Sequence, residues 1–338
     1  MRICSLKNLK AKNTDLDQYF QANSVSIDPL QLYDITGKQG WFIGNPAEFN
    51  LKKKIETNGK PLKDWDIKIY KGLMTGCNEA FYIDKNKKDE LIAQDPKSAE
   101  IIKPILRGRD IKRYSHQFAN LYLLFIPWHF PLHKDPNVSG NSLIAKMEFE
   151  KQYPAIYDHL LSFKDGLSKR NKSETGIRYE WYALQRCANT YYDQFSKEKV
   201  VWAETGYQKF AFVSGDFVLD KTLFMIVGND LKYIMAICNS KIGKYIFDYS
   251  TPDLGSTGNC MTKQTVETIP IPILDTTDKQ ELARQIELIV EQILLVKSEN
   301  PHLVGVATQT TGVLEAQIDR IVYQLYGLTE DEIGVVEN

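Results

Sequence analysis

A chain of 338 residues, 43% hydrophobic and 25% charged, can bury a sizeable core and hold about two domains, and no apolar run approaches the roughly 20 residues that span a bilayer. Five scattered cysteines without a CxxC pair argue against a disulfide framework or a thiolate zinc site and for a reducing cytoplasm, and Met1 to Lys12 lack the apolar core of a signal peptide. The net charge of −1 hides a split: from Ile273 to Asn338 there are 12 acidic residues against 4 Lys or Arg, a net of −8, which leaves 38 basic and 31 acidic residues, a net of +7, in a body suited to meet a polyanion.

In chain order, the Gly44-Asn45-Pro46 stretch reads as a turn, and Asp66 to Tyr70 and Phe81 to Asp84 as short strands about a glycine-containing turn. Lys88 to Gln94 and Ala99 to Leu106 read as helical turns. Leu121 to Ile126 is an apolar run of strand length ended by Pro127. Ser142 to Tyr153 predicts a helix broken at Pro154, with a second helix to about Ser162. Val200 to Glu204, Phe210 to Val213 and Thr222 to Val227 are rich in β-branched and aromatic residues and predict strands. Asp230 to Ser240 predicts a helix with an Asp cap, followed by another from Lys241 to Tyr249.

Ile269-Pro-Ile-Pro272 reads as a rigid extended connector between a body, 1–272, and a helical tail, 273–338. Within Asp278 to Lys297, Leu282, Ile286, Ile289 and Ile293 recur at coiled-coil spacing, as do Leu314, Ile318, Ile321 and Leu325 after a flexible joint. Matching seams predict an antiparallel hairpin, either projecting from the body or packed on it. Thr329-Glu-Asp-Glu332 predicts a capping box for a last short helix. The expected fold is mixed α/β: a twisted mixed sheet with flanking helices, then the hairpin.

The groups of the common catalytic sites do not come together. There is no phosphate-binding glycine loop and no GxSxG elbow. His129 and His133 are four apart, but Pro131 between them breaks helical spacing, so they read as solvated loop residues. Asn45-Pro46-Ala47-Glu48 falls short of the Asn-Pro-Pro-aromatic loop that holds a flipped adenine. No catalytic residue, metal or cofactor is therefore expected in the chain.

Six segments resemble, in order, the TaqI-like C-terminal specificity domain of type IIG restriction-modification enzymes and N6-adenine DNA methyltransferases. They are Lys71-Gly-Leu-Met-Thr-Gly-Cys-Asn-Glu-Ala-Phe81; Leu106-Arg-Gly-Arg-Asp-Ile111; Tyr153-Pro-Ala-Ile-Tyr-Asp-His-Leu160 with Arg170 and Trp181-Tyr-Ala-Leu184; Leu231 to Lys241; Ile269 to Pro272; and Ile318 to Gly327. Cys77 and the Gln185-Arg186 pair depart from the pattern. The resemblance implies sequence-specific recognition of double-stranded DNA for a methyltransferase domain or subunit, and in many such enzymes a nuclease. S-adenosylmethionine would bind in that partner. The alternatives are a stand-alone nuclease, or an interaction scaffold working through the tail.

The candidate DNA-binding residues follow from charge and loop chemistry. Thr75 and Asn78 sit in a turn beside Lys71; Asn78 either reads adenine through its amide or ties the turn to its own backbone. Arg107, Arg109, Lys112 and Arg113 crowd around one acid, Asp110, and divide between an internal ion pair and phosphate contact. Lys169, Arg170, Lys172 and Arg178 lie in a basic loop containing Gly166 and Gly176, suited to a DNA groove or simply solvated. Ser256, Thr257, Asn259 and Lys263 form a second small-polar loop.

Overall fold

The computed structural model describes residues 2–4, 16–26, 46–188, 190–251, 254, 258–299 and 309–337. A ribbon of β1 (Arg2–Cys4) and β2 (Ser24–Ser26) brackets α1 (Leu16–Asn23). Then come α2 (Pro46–Asn58), β3 (Gly59–Pro61), β4 (Ile67–Lys71), α3 (Asn78–Phe81), β5 (Tyr82–Asp84), α4 (Lys85–Gln94), β6 (Ile102–Leu106) and β7 (Leu121–Leu124). Helices α5 (Leu143–Gln152), α6 (Pro154–Leu161) and α7 (Lys164–Ser168) precede β8 (Lys199–Ala203), β9 (Thr205–Gly206), β10 (Phe210–Val213), β11 (Val218–Leu219) and β12 (Leu223–Gly228). The chain continues through α8 (Leu231–Asn239), α9 (Lys241–Ser250), β13 (Asn259–Cys260), α10 (Lys263–Val266) and β14 (Pro270–Pro272) to α11 (Thr277–Glu299), α12 (Gln309–Tyr326) and α13 (Glu330–Glu337).

The organising element is an antiparallel sheet in the order β10-β8-β12-β4. Its inner strands are continuous apolar runs because both faces are covered, and side chains alternate between the two covers. Val201, Leu223, Met225 and Val227 enter one hydrophobic cluster. Val200, Trp202, Phe224 and Ile226 enter the other. The first cluster holds a second sheet, β11-β6-β7-β5, in which β11 runs parallel to β6, together with Phe149 of α5 and Tyr157 and Leu160 of α6. The second holds residues of α2, α8, α9, α11 and α12.

The caps follow local chemistry. Ser142 Oγ accepts from the Ala145 amide at 3.1 Å to start α5, and Ser240 Oγ accepts from Gly243 at 3.0 Å to start α9. Thr329 Oγ1 and Glu332 exchange the reciprocal bonds of a capping box before α13.

Four expectations change. Ala99 to Leu106 is helical only at its start, where Ala99 and Glu100 close a 3-10 turn; from Ile102 the chain is strand β6, paired with β7 and β11, where Pro104 would leave a helix without a donor. Asp230 precedes α8 with φ 54° and no side-chain cap bond. Pro46 begins a 13-residue helix instead of a turn, a position proline suits. Ile269 to Pro272 is more than a connector: β14 pairs antiparallel with β3 and is buried along its length.

The tail helices pair with each other, but they do not project. Ile286, Ile293, Ile318 and Leu325 are buried in the cluster that contains Trp202, with Leu282, Ile289, Leu314 and Ile321 half-buried against it. The physical reason is the width of the apolar stripe. Ala283 and Val290 are buried as well, so α11 packs on α8 in addition to α12. Polar ties add to this: the Lys241 amide donates to Asp319 at 2.8 Å, and Lys54 pairs with Glu332 at 2.7 Å.

Candidate nucleic-acid interface

The turn after β4 is built by close backbone approach. The Gly72 amide donates to the Leu223 carbonyl at 2.9 Å, and a Cβ on Gly72 would stand 2.0 Å from the Asp220 carbonyl oxygen. Gly76 has φ +77°, and a Cβ there would strike Gln185 and Arg170. Thr75 is buried; its hydroxyl donates to Asn78 Oδ1 at 2.6 Å and accepts from the Cys77 amide. Asn78 therefore does tie the turn through its oxygen, while its residue stays exposed at the start of α3.

This turn borders an open cleft of about 700 Å³, lined by Asn78, Tyr82, Arg107, Gly108, Arg109, Ala203, Thr205, Asp220 and Thr222. Its lining includes a carboxylate. Asp220 Oδ2 accepts from the Tyr82 hydroxyl at 2.5 Å, and Oδ1 accepts from the Thr222 amide at 2.8 Å. Burial, reinforced by this carboxylate, pushes the Tyr82 phenol well above its ordinary range, so it is a neutral donor. Arg107 is spent on Asp110, with Nε to Oδ2 at 3.0 Å and Nη2 to Oδ1 at 3.1 Å. Arg109 is exposed, with no side-chain partner among the described residues. Asn259 of β13 pairs in register with Gly206 of β9, next to Thr205; its amide reaches Asp248 at 3.4 Å.

Other expected cations are committed elsewhere. Arg113 turns away from the cleft and pairs with Glu315 of α12 at 2.5 Å. Lys112 Nζ donates to the Arg109 carbonyl at 2.8 Å. Lys71 forms an ion pair with Glu204 at 2.9 Å. Arg170 is turned onto the backbone: its guanidinium donates to the carbonyls of Leu167, Thr75, Trp181 and Ala183 at 2.6 to 2.9 Å. Four of its five N–H donors are thereby taken, and burial lowers its pKa. Arg178 and Arg186 share Glu174, at 3.1 and 2.8 Å, and hold its carboxyl below the usual range. The loop read as flexible is thereby stitched down, leaving Lys169 and Lys172 exposed. Lys263 is exposed beside Lys63 and Lys68 on a separate cleft of about 310 Å³. Ser256, Thr257 and Asn45 lie outside the described residues.

His129 is likewise no solvated residue: it holds the buried Glu180 through its amide at 2.8 Å and Nδ1 at 3.0 Å. Among the described residues no cluster of three His, Cys, Asp or Glu is placed to hold a metal, and no helix is long and apolar enough to cross a membrane. Sequence reasoning missed Tyr82, Asp220 and Thr222. The only local signal was an Asp-Lys-Thr turn between two strands.

The chain is a DNA target-specificity module, as its family match shows. The chain belongs to the TaqI-like C-terminal specificity domain family, whose match runs over residues 103–271, half of its length. It is 20% identical over 271 residues to the type II methyltransferase M.MjaIV of Methanocaldococcus jannaschii, a match covering 78% of this chain and 82% of that protein. Its fold is similar to part of the type IIL restriction-modification enzyme MmeI, solved in complex with DNA, with TM-score 0.51, 13% identity and 81% of this chain covered. The chain spans about a third of that enzyme's length, 35%. The type IIG restriction endonuclease BpuSI aligns with TM-score 0.44 and 10% identity over 83% of this chain and 33% of its own.

Proposed function

We propose that the chain recognises a DNA sequence on behalf of an adenine methyltransferase, and that the cleft between Asn78, Arg109 and Asp220 faces the base edges. Family membership supports the DNA-recognition role. The observation that carries the assignment of the face is the exposed Arg109, without a side-chain partner among the described residues, lining an open cleft of about 700 Å³ together with Asn78. Arginine reads guanine O6 and N7 through a bidentate pair, and an amide reads adenine. Lys169 and Lys172 supply phosphate contacts that position the duplex; Asn259, in register with Gly206 next to Thr205 of the cleft, and Lys263, on the separate cleft, add to the contact surface.

Chemistry belongs to a partner. A methyltransferase domain or subunit would bind S-adenosylmethionine and accept the flipped base, and a nuclease would act beside it where one is present. The likeness to M.MjaIV supports the methyltransferase part of this reading.

Binding of the full chain to duplex DNA, followed by fluorescence anisotropy against salt, tests the role. Sequence-selective binding that Arg109→Ala abolishes at one base pair is the expected result. Binding that ignores sequence, or persists with its selectivity intact in Arg109→Ala, removes the cleft from the interface. Incubation of the pure chain with labelled S-adenosylmethionine and DNA should transfer no methyl group.

A further inference from the structure

Asp220 poses an electrostatic problem for a surface that meets DNA. It is buried, forms no ion pair among the described residues, and lies on the wall of the cleft. One guanidinium of that lining, Arg107, is already satisfied by both oxygens of Asp110. A carboxylate in this position repels phosphate and repels the acceptor edges of bases. Its presence favours binding only where DNA brings a donor to it.

Its geometry suits one donor. A carboxylate has about four acceptor sites, and Tyr82 and the Thr222 amide occupy two of them, one on each oxygen. Those bonds hold the group at both oxygens and leave acceptor capacity on a residue that lines the cleft. Exposed major-groove donors on bases are the amino groups of cytosine and adenine. Adenine presents its N7 acceptor beside the amine, against which a second carboxylate oxygen is repelled. Cytosine presents the amine without that neighbour. Arg109 on the same wall complements the guanine O6 and N7 opposite.

We propose that Asp220, aligned by Tyr82, is a specificity-determining residue that accepts a hydrogen bond from the exocyclic amino group of a cytosine in the recognition sequence. The assignment rests on the DNA-recognition reading above and adds a base to it.

The test is selection by the full chain from a pool of duplexes randomised across the binding site, using wild type, Asp220→Asn and Tyr82→Phe, each checked for a cooperative melt. Wild type should enrich a sequence with cytosine at one defined position. Asp220→Asn replaces an acceptor-only group by one with a donor and an acceptor, the pattern that matches adenine. Preference at that position should fall about ten- to a hundredfold for cytosine and move toward adenine, with the other positions and the salt dependence unchanged. Tyr82→Phe keeps the charge but frees the carboxylate, and should weaken the same preference without moving it. If Asp220→Asn folds and selects the wild-type sequence, or if it fails to fold and Tyr82→Phe leaves the cytosine preference intact, the proposal is overturned while DNA recognition stands. If wild type enriches no sequence, both readings fall.

Discussion

Arg170 Nη1 donates to the carbonyl oxygen of Thr75 at 2.6 Å, across 95 residues of chain. That bond sets the turn carrying Asn78 on the loop between α7 and the Tyr179–Leu184 segment. The same guanidinium holds Trp181 and Ala183 from the other side. An arginine in a basic stretch thus determines where the cleft's rim stands without touching the cleft's contents.

Arg170→Ala should lose roughly 3 kcal/mol or more of stability, because buried carbonyls lose their donor at about 1–3 kcal/mol each. Arg170→Lys should recover little, since an ammonium cannot reach three directions in one plane. Urea denaturation of the two variants checks this. A loss below about 0.5 kcal/mol for Lys would contradict the planar geometry.

Phosphate contact and structural pairing separate by salt dependence. Replacing Lys169 and Lys172 together by Ala should reduce the log–log slope of DNA affinity against salt by about 1.8, at roughly 0.9 per phosphate lost. Arg113→Ala removes one charge, as each of those lysine substitutions does, but breaks the pair with Glu315. It should lower the melting temperature and leave the slope alone. Equal effects of Arg113→Ala and Lys169→Ala on the slope would place Arg113 on DNA.

Acid should destabilise the fold through its histidines. Burial lowers the pKa of His116, His133 and His159 below 6.5. In this case the unfolded chain takes up protons first, so the stability they contribute is present above 6.5 and is lost as pH falls through that value toward the folded pKa values. His159 Nε2 bonds the Ala80 carbonyl at 3.0 Å, tying α6 to α3 as a neutral ring. Melting temperatures measured from about pH 7 to about pH 5 should fall, and less steeply in His159→Gln. A slope of the same size in that variant would count against His159.

The tail should behave as part of the core. Ile286→Ala and Ile293→Ala each remove a fully buried side chain and should cost about 2–5 kcal/mol, whereas exposed Leu288→Ala should cost little. Truncation after Pro272 would uncover Trp202, Ile234 and Phe247 on the sheet's second face. Loss of the cooperative transition is expected in calorimetry. A truncated chain that melts like the full one would show that the cluster closes without α11 and α12.

Element positions were legible wherever periodicity was strong. Val200 to Glu204, Phe210 to Val213 and the two seam helices lie within a few residues of their expected ranges. The Ile-rich stretch from Ala99 to Leu106 was not legible, because a short apolar run is compatible with a helix or a strand until it finds a neighbour. The family was legible from spaced blocks such as Thr75-Gly76 and Arg107-Gly108-Arg109, since close backbone approach and tight turns demand particular residues in order.

Sequence by itself determined which stretches are apolar, where helices such as α5, α9 and α13 begin, and that the body's charge suits DNA. It also listed the cations, but not their partners. Arg109, Arg113 and Arg170 are the same residue type in similarly basic stretches; the structure leaves the first facing a cleft, pairs the second with Glu315 and buries the third among carbonyls. Tyr82 and Asp220 meet across 138 residues, and no local pattern links them. Only the tertiary structure decided these roles. A side chain's charge is local, whereas its availability depends on which acceptors packing brings within about 3 Å.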